Sequence, residues 1–319
     1  MASSSSMDNW FYAGEVVGAQ KELLVCAYKG GGYSGQVYQT RNQRNGTTAA
    51  TKFEKSRPAN DRPPAVREVH SYHKKMTGSS SGRVMKPTKE ELSEFSFRGE
   101  QLFYFSSELL GAHVGELREA AGRSCMPLEV ALTIGREMLF CLEDIHEAGY
   151  LHRDVKPPNF CLTTDGQAIK AVDLAFARKY VTETSQGQRS HVREAESCRF
   201  VGSKRYCSMR LHKRFDPSRY DDLRSWWYSV LELLMWRLPW HHNVDERQIA
   251  DSKYTLQHYG VTRSSATAHL PLRVLQHLDA IDAHLETLKY ADDPNYQLIK
   301  NRLRAAIGKE TDLKEFKFD

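Results

Sequence analysis

One nine-residue run constrains this chain more than any other: His152-Arg153-Asp154-Val155-Lys156-Pro157-Pro158-Asn159-Phe160. It follows a segment in which Leu128, Ala131, Leu132, Gly135, Met138, Leu142 and Ile145 recur at helical spacing, with Gly149 placed to cap the helix. The run fits H-R-D-x-x-x-x-N at all four fixed positions. A polar turn after a helix would explain one or two of these residues, but not the set. In this pattern Asp154 can accept and orient the proton of an attacking hydroxyl, and Lys156 can stabilise charge on a moving phosphoryl group. Asn159 can donate an oxygen to magnesium. The spacing matters because base and metal ligand must face one phosphate.

Upstream, the chain reads as hairpins. Apolar Leu23 to Ala27 is followed by a glycine cluster, then by Gln36 to Thr40 and, across Asn45-Gly46, by Thr48 to Phe53. Asn-Gly predicts a type I′ turn, because both central residues tolerate positive φ. Gly30, Gly32 and Gly35 stand as G-x-G-x-x-G ahead of Val37, between two predicted strands and not between a strand and a helix. Glycines there let backbone N–H groups approach phosphate oxygens, and Val37 can cover a base. Lys52, on the next strand after Ala49-Ala50-Thr51, can neutralise phosphates. Glu68, on a helix predicted over 65–76, can hold that ammonium by an ion pair. A strand over 102–107 leads into Glu108-Leu109-Leu110-Gly111. Downstream, Asp173 in Ala171-Val172-Asp173-Leu174-Ala175 supplies the hard oxygen ligand that magnesium requires.

Composition excludes several classes. With 319 residues, 40% of them hydrophobic, the chain suits an ordinary soluble globule. Its longest apolar stretch, Trp226 to Trp240, is broken by Glu232, Arg237 and Pro239, which argues for a buried helix and against a membrane span. The start has neither the basic nor the apolar region of a secretory signal. Six cysteines form no C-x-x-C pair and read as reduced, mostly buried thiols. A net charge of +5 falls short of a nucleic-acid binder's basic footprint. An intracellular protein, cytoplasmic or nuclear, is expected.

Beyond these motifs, Gly202-Ser203-Lys204-Arg205-Tyr206-Cys207-Ser208-Met209-Arg210-Leu211-His212 stands where kinases in general carry A-P-E, and it resembles the G-T-x-R-Y-A-S-x-x-x-H of the casein kinase 1 family. Glu108 to Gly111, Asp221-Asp222-Leu223-Arg224-Ser225 with Tyr228, Leu238-Pro239-Trp240 and Tyr290 to Tyr296 carry further likeness, so the resemblance runs from about residue 23 to 307. Ala177 to Tyr180 and Trp226-Trp227-Tyr228 lean towards the tau-tubulin kinase branch.

The resemblance implies an α+β, two-lobed protein-kinase-like fold: a small lobe with a five-stranded antiparallel sheet and one main helix, and a larger helical lobe. Residues 1–20 would be a flexible tail, 21–108 the small lobe, 109–312 the large lobe and 313–319 a second tail. It implies a serine/threonine protein kinase with ATP and Mg²⁺ in the cleft, Mn²⁺ being able to substitute. Asp154, Lys156, Lys52 and Glu68 would be catalytic, and Asn159 and Asp173 would hold metal. Gly30, Gly31, Gly32, Gly35, Val37, Ala50, Lys52, Ser107, Glu108 and Leu110 would bind ATP, with Ser107 guarding the back of the adenine pocket. Asp222 would be a buried anchor for the catalytic loop.

Between Asp173 and Arg214 there are ten Lys/Arg against four acids. Such density would draw acidic or phosphorylated substrates, with Arg178, Lys179, Lys204 and Arg205 as candidate anion ligands. A solvated basic face is the alternative. A monomer without nucleic-acid or membrane partners is expected. Lys29 replaces an apolar residue over the base and Ala175 replaces a hinge glycine, so a pseudokinase scaffold stands as the rival reading.

Overall fold

The computed structural model describes residues 9–32, 35–56, 81–88, 92–122, 125–183, 186–187, 189–261, 264–308 and 313. They divide into two compact units: the first takes the residues up to 80 together with 85–110, the second 81–84 and everything from 111 onward. The predicted helix over 65–76 lies outside the described residues.

The first unit is one antiparallel sheet of β1 (Val16–Val17), β2 (Leu23–Gly32), β3 (Gly35–Asn42), β4 (Thr48–Lys55), β5 (Ser93–Phe97) and β6 (Glu100–Ser107), in the order β1-β2-β3-β4-β6-β5. The predicted strands are all present and each runs longer than its apolar run. The sheet has six strands where five were expected, because two-residue β1 adds to the edge of β2.

The β3–β4 connection is not the predicted type I′ turn. Gly46 has φ +73, while Asn45 is not among the positive-φ residues. A longer loop closes instead, through Asn42 N–H to Thr47 O at 2.8 Å and Gly46 N–H to Asn42 O at 2.8 Å. A type I′ turn needs positive φ at both central residues, and only the glycine supplies it here.

One sheet face is an aromatic core of Phe11, Tyr38, Phe53 and Tyr104 with Val17, Leu23, Val25 and Leu102. Residues 9–20 of the stretch expected as a tail are therefore part of the unit. Phe11 is 1% exposed, and its ring centroid lies 4.7 Å from that of Phe53 and 5.0 Å from that of Phe97. Its backbone N–H donates to Tyr38 Oη at 3.2 Å. Three consecutive aromatic residues, Trp10-Phe11-Tyr12, carry neither the period of a strand nor that of a helix, so no pattern marked them as core.

The second unit is built on helices. α1 (Val114–Ala120) opens with a capping box between His113 and Glu116. α2 (Leu128–Glu147) follows the predicted apolar spacing and ends where Gly149, at φ +87, turns the chain. Short pairs come next: β7 (Tyr150–Leu151), β8 (Phe160–Leu162) with β9 (Ile169–Ala171), β10 (Arg178–Lys179) against β7, and β11 (Val181–Glu183) with β12 (Arg189–His191). The remaining helices are α3 (Met209–His212), α4 (Arg219–Met235), α5 (Glu246–Tyr259), α6 (Leu272–Thr287) and α7 (Tyr296–Ile307).

Every residue of α4 is buried, as its apolar stretch implied, although the helix stops before Arg237 and Pro239. It packs on α2 at Gly135, where Trp226 Nε1 donates to the Gly135 carbonyl at 2.7 Å and a Cβ would meet Val230 Cγ2 at 2.8 Å. Only a residue without a side chain allows that approach. No helix among the described residues is long and apolar enough to cross a membrane. The cysteines are free: Cys141 and Cys207 are buried, Cys125, Cys161 and Cys198 are half-buried, and Cys26 in β2 is exposed, so the expectation of mostly buried thiols holds fully for two of the six.

Candidate active site

In the first unit, strand register decides which side chains share a face. Gly30, Val37, Lys52 and Phe105 form one paired row across four strands, and Gln39, Ala50 and Ser107 form the neighbouring row two residues along. Directly paired antiparallel residues project to the same side. Gly30, Val37, Ala50, Lys52 and Ser107 thus share one face, opposite the face that carries Phe53 and Tyr104. Gly31 and Gly32 pair with Gln36 and Gly35 at the strand ends. A Cβ on Gly35 would lie 2.1 Å from the Phe53 carbonyl oxygen, so no other residue fits there. Lys29 is the extra residue of a bulge between Tyr28 and Gly30, and it is exposed.

Lys52 is almost wholly buried, and its Nζ lies 3.6 Å from Glu54 Oε1 on the same strand. Glu68, predicted to hold this ammonium, lies outside the described residues. Ser107 is buried and donates to the Ala50 carbonyl at 3.3 Å. The N–H of Glu108 donates to Lys86 O at 3.0 Å, so the backbone group it could present to a base is its carbonyl. Leu110 follows it at the end of this unit.

In the second unit the nine-residue run forms the turn between β7 and β8. Asp154 is buried and sits among three side-chain donors: Lys156 Nζ at 2.7 Å from Oδ2, Ser203 Oγ at 2.8 Å from Oδ1, and Asn159 Nδ2 at 3.3 Å from Oδ2. Asn159 Nδ2 also donates to the Asp154 carbonyl at 2.8 Å, which directs its Oδ1 away from the aspartate and makes that oxygen the ligand-capable end. The N–H of Val172 donates to the Asn159 carbonyl at 2.9 Å, placing Asp173 one residue further on.

Asp173 has φ +58 and ψ +63, a left-handed conformation that costs a non-glycine residue of order 1 kcal/mol and collects at functional sites. The turn Leu174–Phe176 follows, and its Ala175 is not among the positive-φ residues. An alanine therefore suits the backbone at the position where kinases carry glycine. The carboxylate of Asp173 and the amide oxygen of Asn159 are the hard donors a magnesium ion takes alongside phosphate and water oxygens.

A second layer fixes this loop. Asp222, in the first turn of α4, accepts the N–H of His152 at 2.7 Å and that of Arg153 at 2.8 Å, with His146 Nε2 at 2.9 Å. Burial disfavours its ionised form, but the His146 and backbone hydrogen bonds outweigh this, and the carboxyl is held below the usual carboxylate range. His146 Nδ1 bonds in turn to the Tyr296 hydroxyl. Arg153 takes φ +70 and donates to the Phe176 carbonyl at 3.3 Å. Gly202, at φ +103, passes so close that a Cβ would lie 2.5 Å from the Arg153 carbonyl oxygen.

The sequence alone assigns no individual role to Ser203, His146 or Tyr296. Ser203 and Tyr296 stand in segments that carry the family likeness, but His146 carries no local signal.

The predicted anion ligands are largely engaged. Arg178 Nη1 meets Asp216 Oδ1 at 2.7 Å and Lys204 Nζ meets Glu246 Oε2 at 3.0 Å, so neither presents an open charge to an anion as expected. Lys179 lies in β10, and Arg205 gives its carbonyl to Trp240 Nε1 at 2.8 Å. Arg193, Arg199 and Lys213 of the same segment are exposed.

Residues 28–302 match the family model of the protein kinase domain. Among curated proteins, a Dictyostelium discoideum protein named "Probable serine/threonine-protein kinase" is 34% identical over 63% of this chain and 38% of its own. A serine/threonine-protein kinase of Caenorhabditis elegans is 33% identical over 66% of this chain and 55% of its own. A "Probable casein kinase I homolog" of Encephalitozoon cuniculi is 26% identical over 93% of this chain and 88% of its own. The matches thus span less than two thirds of the first two relatives' length.

Proposed function

Because this chain belongs to the protein kinase domain family, we propose that it transfers the γ-phosphoryl group of ATP to Ser or Thr hydroxyls of protein substrates. The observation that carries this reading is Asp154: a buried carboxylate with a lysine, a serine and an asparagine side chain all aimed at it. In the transfer the substrate oxygen bonds to the γ-phosphorus, the bond from that phosphorus to the β–γ bridging oxygen breaks, and the hydroxyl proton passes to Asp154. Lys156 offsets charge on the moving group, while Ser203 and Asn159 hold the carboxylate in one orientation.

Val37, Ala50 and Ser107 would line the base on the face that also carries Lys52, whose ammonium would take the α- and β-phosphates. Magnesium, when bound, would neutralise phosphate charge, and Asn159 and Asp173 would hold it. Ala175 fits its backbone without strain, which weakens the pseudokinase alternative.

The preference for acidic or phosphorylated substrates rests on the charge of the 173–214 segment, now narrowed to exposed Arg193, Arg199 and Lys213. Placement near the tau-tubulin kinase branch rests on Trp226-Trp227-Tyr228 and on Ala177 to Tyr180.

The test is phosphate transfer from labelled ATP to casein and to an acidic peptide with Mg²⁺, comparing wild type with Asp154→Asn and Asp173→Asn. Transfer by wild type, lost at least about 10²-fold in both variants, is expected. A folded wild type that binds ATP yet transfers nothing would sink the proposal.

A further inference from the structure

Lys253 lies midway along α5 with no exposed surface. Its ammonium donates to the carbonyls of Lys204 at 2.7 Å and Cys207 at 2.6 Å, and His212 Nε2 stands 3.1 Å away as the third acceptor. These contacts use all three of its protons. Cys207 Sγ lies at 3.7 Å, and the rings of Tyr228 and Trp240 flank the charge with centroids at 5.2 and 5.5 Å. None of these partners is a carboxylate. A cation buried on neutral acceptors costs stability, which a methionine of similar reach would not. Burial accordingly lowers the Lys253 pKa to about 8, against weaker raising effects from Cys207 and, at longer range, from the Glu246 carboxylate.

What the ammonium grips is the turn that serves the candidate base. The N–H groups of Tyr206 and Cys207 both donate to the Ser203 carbonyl at 3.0 Å. The Ser203 hydroxyl donates to Asp154 Oδ1 at 2.8 Å, and Lys156 Nζ reaches that hydroxyl at 3.3 Å. Trp240 Nε1 holds the Arg205 carbonyl between the two that Lys253 takes.

We propose that Lys253 is a positioning residue: it clamps the 203–207 turn from below and through Ser203 sets the orientation of Asp154. This rests on the kinase reading for its catalytic consequence, but not for the clamp itself.

The experiment compares wild type, Lys253→Met and Ser203→Ala by amide hydrogen exchange, thermal unfolding and steady-state kinetics with an acidic peptide and Mg²⁺·ATP. For Lys253→Met the expected result is an exchange rate at Tyr206 and Cys207 raised about 10-fold or more, with the rest of the second unit unmoved. Its Tm should be no lower than that of wild type, and kcat should be reduced about 10-fold, with KM for ATP within about twofold. Ser203→Ala should reproduce the kcat loss while leaving exchange in place.

Unchanged exchange over 203–207 would overturn the proposal. So would a Lys253→Met protein that fails to fold or loses protection throughout the unit, since Lys253 would then be a structural residue only. Should wild type transfer no phosphate, the kinase reading fails, and the exchange result alone decides whether the clamp exists.

Discussion

Ser107 places only a hydroxymethyl group on the sheet face that carries Lys52 and Ala50, and its hydroxyl is turned back onto the Ala50 carbonyl. If this face takes the adenine, nothing larger than a serine bounds the base at that point. ATP-competitive purines with a bulky substituent on the exocyclic nitrogen should therefore inhibit wild type, and Ser107→Met should lose about 10-fold or more in their potency, by the volume a thioether chain occupies. Equal inhibition of both proteins would show that Ser107 does not limit the pocket. Ala175 shows residue-scale reading at its limit: sequence marks a lost glycine, but only the backbone dihedral tells whether that glycine was needed. Here ordinary φ at Ala175 and left-handed φ at Asp173 assign the strain to the aspartate.

At the scale of elements, the first unit depends on a segment that its sequence pattern left out. Phe11 closes the aromatic face against Tyr38, Phe53 and Phe97. Phe11→Ala should lower unfolding free energy by about 3 kcal/mol in denaturant titration, and removal of residues 1–20 should destabilise at least as much. A true tail would allow both changes at no cost. The elements that were legible in advance obey a local rule: the Asn45-Gly46 break between β3 and β4, 3.6-residue spacing in α2, and fixed motif spacing in the loop of Asp154 and Asn159. Those missed are held by partners distant in sequence. Strand β1 exists only by pairing with β2, and His146 acquires its role from Asp222 and Tyr296. Likewise nothing in the sequence of α5 announces that Tyr228, Trp240 and the 204–207 carbonyls will enclose Lys253.

For the whole molecule, the shifted groups set the pH range in which the fold is most stable. Glu246, paired chiefly with Arg214 against some burial, is held down at about 2, so its contribution is complete above pH 4.5 and is lost as pH falls towards 2. Burial, with Lys253 nearby, keeps His212 neutral down to about 4, and burial, with Arg205 nearby, does the same for His241. The unfolded chain takes up those protons first, so stability is also lost as pH falls from 6.5 to 4. Asp221, raised by burial to about 6, and Asp144, also raised by burial, work the other way, but these two carboxylates are opposed by three imidazoles, that of His284 being lowered by burial as well, and by Glu246 below. On the alkaline side, the buried Lys253 ammonium is a cost of about 3 kcal/mol at neutral pH, relieved as pH rises from about 8 to 10.5. Against it stand the thiols of Cys207, at about 11, and Cys161, at about 12, with that of Cys141 raised further still, all by burial. Each keeps its proton in the fold after the unfolded chain has released it near pH 9, so each removes stability above that point by about 1.4 kcal/mol per pH unit until its folded pKa is reached. One ammonium gains while these three thiols and that of Cys198, also raised by burial, lose, so the balance turns at about pH 9, and stability should peak between about pH 8 and 9. Urea unfolding from pH 5 to 10 should show that maximum, and Lys253→Met should flatten the rise from 8 to 9 and, by removing a charge that helps keep His212 neutral, weaken only the His212 share of the acid limb. A wild-type maximum near pH 6 would mean that these buried groups do not govern the fold's response to protons.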